Sequence, residues 1–247
     1  MLGAIIGDIV GSSYEFDDFN IKTTDFPLFS EKSEITDDTI MTLAVAQGLI
    51  NGGKYPQKTY DEITKCMQKL RNEYPYMSYG YNFQSWLCLD NPKPYNSYGN
   101  GSAMRVSSVA CFFDNLDDVE KFAEISALST HNHSEGIKGA QAVASAIFLA
   151  RSCKTKSEIK NYIVKKYNYD LSKTCDEIRP NYHHVESCQE TVPQAITAFL
   201  EGGSFEEVIR LAVSLGGDSD TLTAIAGSIQ KLIIQFRKIL KKEHSNF

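Results

Sequence analysis

The chain has 247 residues, 42% of them hydrophobic, and a formal net charge of -6. That length suits one large domain or two small ones, either able to bury a sizeable core. The acidic balance, with no run of Lys or Arg, argues against a surface that gathers nucleic acid or anionic membrane and leaves small molecules or proteins as partners.

Taken in chain order, the opening MLGAIIGDIVG is apolar, but no Lys or Arg precedes it and Asp8 interrupts it, unlike a signal peptide. No uninterrupted apolar run reaches the length that spans a bilayer, so the expected location is the cytoplasm. Gly3, Gly7 and Gly11 recur at four-residue spacing and predict a first helix whose glycine face packs closely on a neighbour. GSSYEF, which holds Glu15, follows as a loop. In SEITDDTIM, Thr36 is placed to cap a helix, Asp37 and Asp38 fall in its first turn, and Ile35 with Ile40 forms a hydrophobic staple. The helix is expected over TIMTLAVAQGLI, Thr39 to Ile50.

Further on, NPKPYNSYGNGS (Asn91 to Ser102) reads as a loop, in which Gly99 and Gly101 flank Asn100 ahead of a helix. Such a turn either aims backbone N–H groups at an anion or simply enters a capped helix. STHNHSEGIKGA sets His131 and His133 before a helix over Gly136 to Arg151, a position suited to capping. Lys154 to Glu190 is more polar and reads as a surface excursion. It leads to TVPQAITAFL, a helix with Pro193 expected in its first turn. After the EGGS loop, SLGGDSDTLTAIAG presents Asp218, Asp220 and Thr221 at the start of an apolar helix expected to run on to Leu240. The six cysteines show no paired spacing and read as reduced thiols, with Cys88 and Cys111 expected in the core. Helical periodicity dominates and no linker or repeat is visible. The expected fold is a single all-α domain over residues 1–247.

Two helix starts therefore carry the same chemistry, paired carboxylates beside a threonine hydroxyl. Each alone is an ordinary capped helix. Brought together they place four negative charges in one small volume, which is costly without cations, and their oxygens suit hard divalent ions such as Mg²⁺ or Mn²⁺. An EF-hand loop does not fit, because Leu222 and Thr223 follow Asp220. A haloacid-dehalogenase phosphatase needs LAVSLGG to be a buried strand. Zinc lacks ligands, since His131 with His133 and His183 with His184 have no partners at ligand spacing.

With GDIVGSSYEF, TDDT, SYGNGSAMR, THNHSEGIKGA and GGDSDT in that order, the chain resembles the ADP-ribosylglycohydrolase family, which includes the dinitrogenase reductase-activating glycohydrolases. The resemblance implies an all-α single domain with a binuclear Mg²⁺ or Mn²⁺ centre that removes ADP-ribose from side chains or related conjugates. It implies Thr36, Asp37, Asp38, Asp218, Asp220 and Thr221 as metal ligands. Glu15 becomes the acid on a segment beside the metals, and it shares with Asp37 and Asp38 the candidacy for acid–base work. Ser97, Tyr98, Gly99, Asn100, Gly101 and Ser102 become the phosphate-holding loop, with Tyr98 facing adenine and His131 near the ADP-ribose. The expected partners are ADP-ribose conjugates, including an ADP-ribosylated protein, and neither nucleic acid nor membrane. A non-catalytic ADP-ribose binder is the alternative.

Overall fold

The computed structural model describes residues 1–16 and 19–230. Among them there is no strand, and the single extended pairing is a bridge between Gly99 and Ser187. In chain order the helices are α1 (Leu2–Ser12), α2 (Asp37–Gly52), α3 (Pro56–Glu73), α4 (Tyr81–Leu87), α5 (Gly101–Met104), α6 (Val109–Phe112), α7 (Leu116–Leu128), α8 (Ser134–Arg151), α9 (Lys156–Tyr167), α10 (Cys175–Ile178), α11 (Cys188–Glu201) and α12 (Phe205–Leu215). A 3₁₀ turn at Val106–Ser108 joins α5 to α6, and a last helical run over 219–230 is α13 here. The part of the expected final helix beyond 230, to Leu240, lies outside the described residues.

Helix α8 is the central post. Its alanines Ala140, Ala142, Ala144, Ala146 and Ala150 are fully buried, and such short side chains let α5, α7, α9 and α11 all approach it. One apolar cluster runs from Ile40 of α2 to Ile229 of α13. A smaller one, Val10, Phe26, Ile209 and Val213, sits under the loop that follows α1.

The predicted glycine face is a helix crossing. A methyl group on Gly7 would stand 2.1 Å from the Thr223 carbonyl oxygen, and one on Gly11 would stand 2.5 Å from Asp220 Cα. A Cβ on Gly7 would meet only backbone atoms of Thr223 and Ala224, so α1 and α13 touch backbone to backbone, and the Thr223 hydroxyl lies between the Gly7 carbonyl at 2.7 Å and the Ser219 carbonyl of its own helix at 2.6 Å.

Three expectations are corrected and one rival reading falls. Cys88 and Cys111 are exposed, while Cys66, Cys175 and Cys188 are the buried thiols. The polar stretch after Lys154 is not a surface excursion, because Ile159, Ile163, Tyr167, Tyr169, Leu171 and Cys175 all enter the core. Its charges lie on one face of α9 and disguised the other. Helix α11 starts at Cys188, so Pro193 sits inside it, beyond the first turn, and the carbonyl it leaves unpaired, that of Gln189, belongs to an exposed residue. LAVSLGG is the end of α12 and not a strand, which removes the phosphatase reading.

Candidate active site

Two helix N-termini meet at the bottom of a cavity of about 350 Å³, a size suited to a small molecule. At α2, Thr36 is the cap: its hydroxyl accepts from the Asp38 N–H at 3.2 Å and donates to buried Asp8 at 2.7 Å. Asp8 also accepts from the Thr36 and Thr39 backbone N–H groups, both at 3.1 Å, and from the Thr39 hydroxyl. This hidden carboxylate anchors α2 to α1 and fixes where Asp37 and Asp38 point. At α13, the Asp218 carbonyl accepts from the Leu222 N–H at 3.0 Å, which makes Asp218 the cap. The two starts are joined across 183 positions of sequence by the Thr221 hydroxyl, which donates to Asp38 Oδ2 at 3.2 Å.

The turn into α13 needs its glycines. Gly216 and Gly217 have φ of 73° and 79°, and a Cβ on Gly217 would meet the His183 carbonyl oxygen at 2.7 Å. Asn20 clamps this turn to the loop after α1. Its amide donates to the carbonyls of Tyr14 (2.7 Å), Glu15 (3.0 Å) and Gly217 (3.2 Å), and its oxygen accepts from the Gly217 N–H. The clamp brings Glu15 to Asp218 and Asp220, so that these three offer carboxylate oxygens all within 4.8 Å of one another.

Burial, and then neighbouring carboxylates, hold Asp37, Asp38 and Asp220 well above the usual carboxylate range. Burial also pushes Asp218 up to about 6 and Glu15 up to about 8, Glu15 with help from Asp220. Asp38 Oδ1 is buried without any hydrogen-bond partner. An orphaned carboxylate oxygen among oxygen-only donors is the environment a hard divalent cation satisfies, and the residues fit such an ion.

The rest of the wall comes from elsewhere in the chain. Of the predicted anion loop, Ser97, Gly99, Asn100 and Gly101 line the cavity together with His131. Asn100 links this half to the acids by donating to Asp218 Oδ2 at 2.6 Å. Two of the loop's N–H groups are engaged internally, Gly99 with Ser97 Oγ at 3.2 Å and Asn100 with the Glu186 carbonyl at 2.7 Å. Ser102 is wholly buried and donates to the Gly136 carbonyl at 2.7 Å, away from the cavity wall. Tyr98 is 53% exposed and its ring edge meets His133 at 5.4 Å. His133 caps α8 by accepting from the Glu135 N–H at 3.1 Å. Thr36, engaged with Asp8, also stands behind the lining.

Sequence reasoning missed Tyr81, Phe83, Tyr95, Arg105, His184 and Glu186, all of which line the cavity. The tyrosine-rich run 74–81 was a visible signal. The pairing of His184 with Glu186 at 3.2 Å was not, because it acquires meaning only when that loop folds over the acids.

A helical domain whose acid-bearing helix starts meet under a polar cavity is the architecture of a class of hydrolases, the ADP-ribosylglycohydrolases. The model of the ADP-ribosylglycohydrolase family matches residues 1–230, and the chain belongs to that family of enzymes. ADP-ribosylhydrolase ARH3 of Homo sapiens is 28% identical over 93% of this chain and 82% of that protein. ADP-ribosylarginine hydrolase Tri1 of Pseudomonas putida (strain GB-1) is 26% identical over 93% of this chain and 68% of its own. A solved structure described as an ADP-ribosylglycohydrolase-related protein complex shares the fold at TM-score 0.70, with 22% identity over 94% of this chain and 84% of that one. The ARH3 alignment spans 305 positions against 247 residues here, so that relative carries segments this chain lacks.

Proposed function

We propose that this protein is a divalent-cation-dependent hydrolase that cleaves the glycosidic bond at the distal ribose of ADP-ribose conjugates and releases ADP-ribose. The observation that carries the reading is the Thr221–Asp38 contact, which makes one acidic centre of two remote motifs at the floor of the cleft. The names of the relatives support the ADP-ribose part.

Asp37, Asp38, Asp218, Asp220 and Thr221 would hold two ions, Mg²⁺ or Mn²⁺, with Thr36 joining them by releasing Asp8. When bound, such ions template ribose hydroxyls and lower the pKa of a water. The chain's own groups supply the rest. Bond cleavage at the anomeric carbon develops oxocarbenium character, so the carboxylates around it favour the transition state over the neutral ground state. A carboxyl among Glu15, Asp37 and Asp38 takes the proton of the attacking water or gives one to the departing atom. At the other end, Ser97, His131 and the first turn of α5 receive the pyrophosphate, and the exposed Tyr98, next in sequence to the lining residues Ser97 and Gly99, offers a ring on which a planar base would stack. The leaving group faces Glu15, His184 and the exposed Tyr81.

The test is release of ADP-ribose by the wild type and by Asp37→Ala and Asp220→Ala, each checked for folding by circular dichroism. Both variants lose activity, and EDTA abolishes that of the wild type. Full activity in either variant, or indifference to EDTA, removes the binuclear reading. Binding of ADP-ribose without turnover would instead favour a non-catalytic binder. Arginine-linked, serine-linked and acyl-linked ADP-ribose, assayed side by side, identify the group released.

A further inference from the structure

Arg105 is 1% exposed, and its hydrogen bonds go to neutral oxygens. Nη2 donates to the Ser126 carbonyl at 3.3 Å and to Thr130 Oγ1 at 2.8 Å, while Nε is buried without a partner. A guanidinium is a donor only, so Thr130 Oγ1 accepts from it. The same oxygen lies 2.6 Å from His131 Nδ1, with Thr130 wholly buried and His131 4% exposed. The Thr130 hydroxyl has one proton, and Nδ1 is the acceptor it reaches. If the ring instead carried its proton on Nδ1, the oxygen's two lone pairs would both be taken, by Arg105 and by Nδ1, and the buried hydroxyl proton would lack an acceptor, costing about 1–3 kcal/mol. The ring's other edge is packed among glycines: Cβ atoms on Gly99 and Gly101 would stand 3.6 Å from Nε2 and Cε1, and one on Gly136 would stand 2.9 Å from the histidine Cβ.

We propose that Arg105, acting through Thr130, locks His131 as the Nε2–H tautomer, so that the imidazole faces the Gly99–Gly101 turn as a permanent neutral donor. Arg105 and Thr130 are positioning residues. Burial, and then the Arg105 charge, hold His131 well below its ordinary pKa against the opposite pull of the Gly99 carbonyl, which the Nε2–H faces until a ligand takes its place, while Arg105 at about 10 stays charged at neutral pH. That His131 donates to a phosphate rests on the function proposed above; the tautomer itself does not. A neutral donor with fixed polarity suits an anion whose charge is met elsewhere, and it cannot turn round to accept from a hydroxyl in the phosphate's place.

The test is nitrogen-15 NMR of the ligand-free protein with labelled histidine, with the His131 signal assigned by its loss in His131→Gln. The wild type shows a protonated Nε2 and a bare Nδ1. Thr130→Val removes the hydroxyl at equal volume and gives a mixture of tautomers, with affinity for ADP-ribose lowered about tenfold. Thr130→Ser, which keeps the hydroxyl, restores both readings. A protonated Nδ1 in the wild type, or an unchanged tautomer in Thr130→Val, overturns the proposal. If Thr130→Val fails to fold, the wild-type spectrum decides alone. A wild type with the Nε2–H tautomer but no affinity for ADP-ribose would leave the lock standing and overturn the proposed function.

Discussion

Replacing Gly7 with alanine sets two effects of opposite sign against each other. Alanine favours a helix interior over glycine by about 1 kcal/mol, so α1 by itself gains. Its Cβ, however, would lie 2.1 Å from the Thr223 carbonyl oxygen and 2.5 Å from the carbonyl carbon, where no rotamer can relieve the overlap. Carbon–oxygen contacts of this kind settle at about 3.3 Å, so α1 and α13 must separate by roughly 1 Å. Overpacking of a core costs about 1–3 kcal/mol. The Thr223–Gly7 hydrogen bond, 2.7 Å now, is stretched as well, at about 1 kcal/mol. The net expectation is a loss of about 1–3 kcal/mol, a fall in Tm of roughly 3–10 °C for a chain of this size. Because the same crossing holds Asp220, the rise in Tm on adding Mn²⁺ should also shrink. Scanning calorimetry in EDTA and in Mn²⁺ reads both. A Gly7→Ala protein as stable as the wild type would refute the backbone-to-backbone crossing.

The acid cluster also gives the ion-free protein an unusual pH dependence. Its folded pKa values are raised, to about 6 for Asp218 and about 8 for Glu15, so the folded state keeps protons that the unfolded chain has lost. That contribution is complete below the ordinary carboxylate range and disappears as pH rises toward the folded values; Tm in EDTA should fall between about pH 5 and pH 8, and the rise given by Mn²⁺ should grow over the same interval. A Tm flat in that window would count against the cluster. Glu120 has the opposite sign. Burial pushes it up, but Lys166 and the hydroxyls of Tyr162 and Tyr167, at 2.6 and 2.8 Å, outweigh burial and hold it low. Its contribution is present above the ordinary glutamate pKa and is lost as pH falls through the folded one. Glu120→Gln should destabilise by about 1–3 kcal/mol near neutral pH, read by urea unfolding, and leave ADP-ribose release unchanged. Lost activity in a folded Glu120→Gln would show coupling that the fold does not suggest.

Much of the helical plan was legible because its signals are local. Thr36 with Asp37 and Asp38 marks a helix start by capping and dipole alone, and the spacing of Gly3, Gly7 and Gly11 marks a close crossing without naming the partner. The partner, α13, is a tertiary fact. So is the reach of Asp8, whose buried carboxylate serves threonines 28 and 31 positions away. In α9, lysines such as Lys160 and Lys165 lie in the same turns as buried Ile159 and Ile163, so mean polarity concealed a core helix. Cys88 and Cys111 have apolar neighbours in sequence, but each falls on the outward side of its short helix or helix end. The family motifs located the acids and the glycine turn and contain Arg105 without giving it a role, whereas Tyr81 and Tyr95 reach the cavity from segments whose local pattern suggests only helix and loop.

We propose that the acids contributed by α2 and α13 form one cation-dependent centre for hydrolysis of ADP-ribose conjugates. Its most direct test is the rate of ADP-ribose release from arginine-, serine- and acyl-linked conjugates with Mg²⁺ or Mn²⁺, repeated after EDTA. At least one conjugate should be turned over, with activity lost with the ions and regained when they are returned. No release from any of the three, or release that EDTA leaves untouched, would contradict it.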